Sequence, residues 1–193
     1  MNDKRPRLAL FCGIPGSGKT TLAKRLESNG EGIRICTDDW QADLEVKSGP
    51  MYDDFHERLQ KRLYKLSIEL LQSGQDVILE DGLWMEQERA EKLADAKRCG
   101  ATVALHFFDL SFNETLHRLE ARNTEQPHGM VAMNKDDLQV CWDLFQKPNA
   151  EELSEFDEVY IYTDSTLAND FVAQECLNDE NMIHRGHAGA KEV

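Results

Sequence analysis

Gly13-Ile14-Pro15-Gly16-Ser17-Gly18-Lys19-Thr20, followed directly by Thr21, is the segment on which the reading of this chain turns. It fits the pattern GxxxxGK[ST], and its setting is the one that pattern requires. The short apolar run Leu8 to Cys12 before it reads as a buried strand, and Thr20 to Glu27 after it as a helix stopped by Ser28-Asn29-Gly30. The residue types follow from the chemistry of phosphate. Glycines let backbone amides turn inward toward phosphate oxygens, and a helix amino terminus adds favourable partial charge. Gly13, Pro15, Gly16, Ser17, Gly18, Lys19, Thr20 and Thr21 are therefore expected to hold a nucleotide. Lys19 reaches the β- and γ-phosphates and the Thr20 hydroxyl ligates Mg²⁺. The pattern arises by accident in on the order of one per cent of chains this long.

Outward from this loop, strands and helices alternate. Ile33 to Cys36 reads as a second strand, Asp76 to Glu80 as a third, Ala101 to Phe108 as a fourth and Val159 to Tyr162 as a fifth. Phe55, Leu59, Leu63, Leu66 and Leu70 recur at helical spacing and end at Gly74. Glu86 to Arg98 is a helix closed by Gly100. Ser111 with Glu114 makes a capping box for a helix reaching about Arg122. After a loop with Pro127 and Gly129 comes a helix carrying Leu138, Cys141, Trp142 and Phe145, with Trp142 assigned to the core. A last helix is expected near 167–177. Strands separated in this way build a mostly parallel five-stranded sheet from βαβ units, with ligands beyond the strands' carboxyl ends. The expected organisation is a catalytic domain over 1–163, with a lid near 123–136, and an acidic helix and tail over 164–193.

Composition bounds the rest. The 193 residues are long enough for one domain with its own core. No apolar run approaches the roughly 20 residues that span a bilayer. The five cysteines are odd in number, scattered and without a CxxC pair, which fits reduced thiols and a cytoplasmic setting. The net charge of -14 argues against holding nucleic acid by bulk charge. That argument weakens once the charges are located, because the segment from Glu151 onward carries 11 acidic and two basic residues. Oligomeric state leaves no signature.

Residues just after the other strands are the acceptor-side candidates. Thr37-Asp38-Asp39-Trp40 follows the second strand, which sets Asp38 at the sheet edge facing the γ-phosphate. A carboxylate there accepts the proton of an attacking hydroxyl and helps hold the metal through water; the alternative is a helix cap. Glu80-Asp81-Gly82 gives a second acidic pair, for metal, acceptor or merely a turn. Arg118 and Arg122, four apart before the lid loop, are candidates to neutralise charge during transfer, or else a solvated face pairing with Glu114 or Glu120. Trp40 and Trp84 line an acceptor pocket or belong to the core.

Taken together, the phosphate loop, the Asp pair, Val77-Ile78-Leu79-Glu80-Asp81-Gly82, Arg118-Leu119-Glu120-Ala121-Arg122-Asn123 and Phe145-Gln146-Lys147-Pro148 resemble the AAA-type small P-loop kinases. That group includes zeta-toxin, chloramphenicol phosphotransferase and polynucleotide kinase relatives. The resemblance covers roughly residues 7 to 163. It implies the three-layer αβα sandwich of P-loop NTPases, nucleoside-kinase-like with a helical lid, and ATP with Mg²⁺ as cofactors. It also implies Asp38 as acceptor-activating base and Arg118 and Arg122 as lid residues on phosphate. One departure bears on the acceptor. Phage-type polynucleotide kinases carry a phosphate-gripping arginine three residues after that aspartate, and here the position is the neutral Gln41. The expected activity is transfer of the γ-phosphate to a hydroxyl of a small, weakly charged molecule. A polynucleotide 5′-hydroxyl kinase or RNA-repair module, and an ATP-binding switch without transfer, are the alternatives.

Overall fold

The computed structural model describes residues 5–45, 52–125 and 132–164. The chain opens with β1 (Arg7–Cys12), α1 (Lys19–Ser28), β2 (Ile33–Ile35), α2 (Thr37–Asp43) and α3 (Tyr52–Gln72). There follow β3 (Val77–Leu79), α4 (Glu86–Arg98), β4 (Thr102–Phe108) and α5 (Phe112–Glu125), then α6 (Lys135–Leu144), α7 (Ala150–Leu153) and β5 (Glu158–Tyr162). The strands lie in the order β2-β3-β1-β4-β5, and every pairing is parallel. The expected sheet is thus present, wholly parallel among the described residues. The helix expected near 167–177 lies outside them, as do residues 126–131 of the expected lid.

Strand alternation sorts the core into two layers. Leu8, Leu10 and Cys12 of β1, Val77 and Leu79 of β3, and Val103, Leu105 and Phe107 of β4 face one side with α3 and α4. Ala9, Phe11, Ile78 and Phe108 face the other with Leu22, Ala23 and Leu26 of α1. In α3 the most deeply buried ridge is Leu63, Ser67 and Leu71, one turn apart. The Ser67 hydroxyl reaches the buried side because it donates to the Leu63 carbonyl at 3.1 Å. A third cluster, Ile14, Leu119, Leu138 and Cys141, closes the carboxyl end of the sheet beneath α5 and α6.

Two local expectations change. The Ser111 half of the capping box forms, with the Glu114 N–H donating to Ser111 Oγ at 3.2 Å, but the Glu114 carboxylate turns instead to Arg118. Trp142 is half-buried; it packs against the third core cluster and meets Phe112 edge-on, with ring centroids 5.4 Å apart, while also lining a cavity. Its helix is amphipathic: Leu138 and Cys141 fill the cluster, and Trp142 at its margin borders the cavity.

On the α1 side of the sheet, His106 is stacked between Phe11 at 5.1 Å and Tyr160 at 4.9 Å, with Nδ1 2.9 Å from the Tyr162 hydroxyl. Burial pushes its pKa down to about 3, so it stays neutral at any physiological pH. The unfolded chain takes up a proton here that the native chain refuses. Stability is therefore whole above the ordinary histidine pKa and falls as pH drops below it. By about pH 4 this one group costs on the order of 3 kcal/mol. His106→Gln, which keeps a polar partner for Tyr162 but does not titrate, is expected to lose correspondingly less stability between neutral and acid pH. Denaturant titrations at both pH values check this, and parallel losses in the two proteins would refute it.

Candidate active site

The phosphate loop leaves the end of β1, a strand with neighbours on both sides. Gly16 and Gly18 take φ of +83° and +103°, a region that side chains rarely adopt. Gly16 is also closed to a side chain, since a Cβ there would sit 3.2 Å from the Thr115 carbonyl and 3.4 Å from Leu119 Cβ. The loop is thus pressed directly against α5. Its base is fixed by the Gly13 N–H, which donates to the Gly82 carbonyl at 3.0 Å. Ser17 is buried. Pro15, Thr20 and the cap residue Gly18 are half-buried, and Thr21 is exposed at the start of α1, whose first turn carries no acid. The free amino terminus of α1 is left for an anion.

Lys19 folds over its own loop, with Nζ donating to the Ile14 carbonyl at 2.8 Å and lying 3.4 Å from Ser17 Oγ. Burial pulls its pKa down to about 8, against the opposing pull of Glu80 and Asp38. The same kind of balance holds at Arg122. Burial lowers its pKa, and Asp38 is the charge that opposes this. Lys19, Arg122 and Asp38, far apart in sequence, therefore act on one another across the cleft. Asp38 stands exposed in the first turn of α2. It is not the cap expected as one alternative, because Cys36 occupies that position. Arg118 pairs with Glu114 at 2.6 Å.

The acidic pair after β3 divides. Glu80 is claimed by Arg34, whose Nε donates to it at 2.6 Å, while Arg34 NH1 donates to Asp39 at 2.7 Å. Asp81 is buried and accepts from the Thr37 hydroxyl at 3.3 Å; its other oxygen has no hydrogen-bond partner. Burial raises its pKa. Gln41 is buried as well, with its carbonyl oxygen 2.6 Å from His56 Nδ1 and its amide nitrogen unpartnered. Thr37 and Gln41 are one turn apart, so α2 turns a polar face inward between Asp81 and α3. Trp40 points outward and is 43% exposed, whereas Trp84 packs with the cluster beneath the phosphate loop. Trp84 carries its indole nitrogen to 2.6 Å from where a Cβ on Gly82 would lie. Burial pushes the Cys12 and Cys36 thiols up to about 12, which leaves neither a nucleophile at neutral pH.

Three elements of the site lacked an obvious sequence signal. Arg34 is an arginine in a three-residue strand; the available clue was its register, opposite Ile78 and so on the same face as Glu80 two residues on. Arg89 is fully buried under the turn after Asp81, donating to the Leu83 and Trp84 carbonyls at 3.0 and 3.1 Å and to Glu152 at 3.0 Å. There it supports Leu83, whose φ is +39°. Asn123 ties together the two ends of the segment expected as a lid, its amide donating to the Met133 carbonyl at 2.7 Å. Behind the phosphate loop a cavity of about 660 Å³ opens between Ile14, Phe108, Thr115, Trp142 and Phe145, with Asp109 and Lys147 paired at 2.7 Å on its rim.

The AAA_33 profile of the AAA domain, a P-loop kinase family, matches residues 8–139. The chain belongs to this family. The match spans the phosphate loop, α2 with Asp38, the Glu80-Asp81 turn and both arginines of α5. Among solved structures, this AAA_33 chain is similar to a presumed kinase from Chloroflexus aurantiacus. That likeness has a TM-score of 0.67 at 18% identity, over 87% of this chain and 94% of the other. It is also similar to Chaetomium thermophilum Kti12 in complex with ADP-AlF3, with a TM-score of 0.60 at 15% identity over 81% and 88% of the two chains. A third likeness is to the Mycobacterium tuberculosis APS kinase CysC with AMPPNP and APS, with a TM-score of 0.53 at 18% identity over 83% and 89%. These likenesses bear on the fold. No curated protein matches the sequence. No helix among the described residues is long and apolar enough to cross a membrane.

Gly82 joins the two halves of the site, since its carbonyl holds Gly13 and its Cα lies beneath Trp84. Gly82→Ala is expected to displace the Trp84 indole and loosen the loop base. The cost is about 1–3 kcal/mol of stability, together with a several-fold loss of ATP affinity. Denaturant unfolding and calorimetric titration with ATP measure the two. Wild-type values in both would show that the two turns are not coupled through this residue.

Proposed function

We propose that the protein transfers the γ-phosphate of ATP to a hydroxyl of a small, weakly charged molecule. The observation that carries this reading is the placement of Asp38, exposed beyond the end of β2 and electrostatically coupled to both Lys19 and Arg122. In the proposed reaction the Asp38 carboxylate accepts the acceptor's hydroxyl proton as the new O–P bond forms. The bond from the γ-phosphorus to the bridging oxygen breaks, and ADP leaves. Lys19, Arg122 and the loop amides offset the charge gathering on the phosphoryl oxygens. Hard oxygen donors at Thr20 and Asp38 suit Mg²⁺, which keeps several waters when it binds so few protein ligands. Bound there, it would neutralise phosphate charge.

The acceptor side favours a neutral hydroxyl over a phosphorylated end. Gln41 is turned inward onto His56 and offers no cation, and Arg34 is spent on Glu80 and Asp39.

ATP consumption across panels of sugars, nucleosides and antibiotics, with a 5′-hydroxyl oligonucleotide alongside, tests the reading. An acceptor from the small-molecule panels is expected to raise turnover, and Asp38→Asn to lower it by about 10²–10⁴-fold with ATP affinity nearly unchanged. Labelling of the oligonucleotide alone would move the assignment to a nucleic-acid end kinase. ATP binding with only solvent-level loss across both panels would leave a nucleotide switch.

A further inference from the structure

We propose that Arg34 is a positioning residue for phosphoryl transfer, which sets Asp38 in place by clamping the first turn of α2 to the end of β3. The inference rests on the reading of Asp38 as the proton acceptor and goes beyond it by assigning what holds that carboxylate still.

The geometry is that of a two-armed brace. Arg34 lies on edge strand β2, and its side chain is only 8% exposed. One arm, Nε, donates to Glu80 at 2.6 Å, and Glu80 is itself fixed because its backbone N–H donates to the Ile35 carbonyl at 2.8 Å. The other arm, NH1, donates to Asp39 at 2.7 Å, the residue next to Asp38. Burial alone would raise the Asp39 pKa, but the bond to Arg34 more than offsets it and leaves it below the ordinary value. The brace therefore keeps Asp39 ionised and holds both carboxylates in place.

The need for such a brace follows from α2 itself. It is a seven-residue helix, too short to be stable alone, and its cap Cys36 makes no side-chain capping bond. Trp40 and Leu44 on its outer side are exposed, so apolar burial there does little to hold it. What remains on the inner side are the Thr37–Asp81 and Gln41–His56 contacts at 3.3 and 2.6 Å. Arg34 supplies the charged anchor, and it acts at the turn that bears Asp38. The guanidinium has a further consequence. Glu80 is the charge that acts most strongly on Lys19, so Arg34 also keeps that carboxylate occupied beside the phosphate loop. A lysine could keep the charge but could not span both carboxylates with a planar fork.

The test is hydrolysis of MgATP with water as acceptor, followed by release of labelled γ-phosphate, in the full chain. Arg34→Met is expected to lower kcat by about 10- to 100-fold with the KM for ATP little changed, and Arg34→Lys to recover part of that loss. In an Asp38→Asn background the same Arg34→Met change is expected to have almost no further effect, because what it positions has lost its function. If the Arg34→Met loss is as large in the Asp38→Asn background as in wild type, the proposal is overturned and Asp38 keeps its role. If Asp38→Asn hydrolyses ATP at the wild-type rate, the underlying reading fails and takes this one with it. Should Arg34→Met not fold, Asp39→Asn removes one arm without stranding the guanidinium from Glu80. It is expected to give a smaller loss of kcat that likewise vanishes with Asp38→Asn; persistence of that loss overturns the proposal.

Discussion

The hydrogen bond from the Gly13 N–H to the Gly82 carbonyl holds the site in one frame. It joins the turn that receives phosphate to the turn after Glu80 and Asp81, just past the point where β1 and β3 cease to pair. Both turns could otherwise move independently, because each has left the sheet that orders it. The flanking structure supports this single bond from each side. Gly16 lies against the Thr115 carbonyl and Leu119 on α5, and Arg89 holds the Leu83 and Trp84 carbonyls from within the core. A buried arginine is expensive unless every donor is used, and here the donors are spent on a carboxylate and on two carbonyls of a turn that needs bracing.

Charge in the cleft is arranged on the same principle. Four carboxylates, Asp38, Asp39, Glu80 and Asp81, lie at or just beyond the ends of β2 and β3. Left unopposed, they would repel the phosphates of a nucleotide. Three of them are restrained by the fold. Glu80 and Asp39 share Arg34, and Asp81 is buried, where desolvation makes its charge costly. Asp38 alone is exposed toward the cleft, with Lys19 and Arg122 as the cations it feels. An acidic cluster is thereby reduced to one exposed carboxylate near the cations of the phosphate loop and α5, the charge distribution that the proposed transfer calls for.

What the sequence disclosed follows from the range of each interaction. The phosphate loop, the strands and the helical stripe of α3 are written in neighbouring residues, so the phosphate loop and the succession of strands and longer helices were legible from spacing, while the short helices α2 and α7 were not. Capping was half legible. Ser111 behaves as local chemistry dictates, but Glu114 has a competing partner one turn on in Arg118, and a charge-assisted bond outweighs the reciprocal cap. Trp142 sits on the apolar side of an amphipathic helix, and periodicity cannot tell a filled interior from a cavity wall. Arg34 and Arg89 were illegible for another reason. Their partners, Glu80 and Glu152, are 46 and 63 residues away, and only the strand order brings them together.

The position of Gln41 shows how such long-range contacts change the meaning of a residue. From sequence it is only the absence of a cation where related kinases carry one. In the structure it is a buried amide one turn beyond Thr37, bound through its oxygen to His56 on α3. An arginine introduced there would meet an interior already occupied by His56 of α3, and it could not simply extend toward a phosphate. The departure is therefore built into the packing of α2 on α3, and reversing it would require moving the helix that carries Asp38. In the proposed reaction, acceptor preference and placement of the Asp38 carboxylate are both tied to the same seven residues, so a change in one would not leave the other untouched.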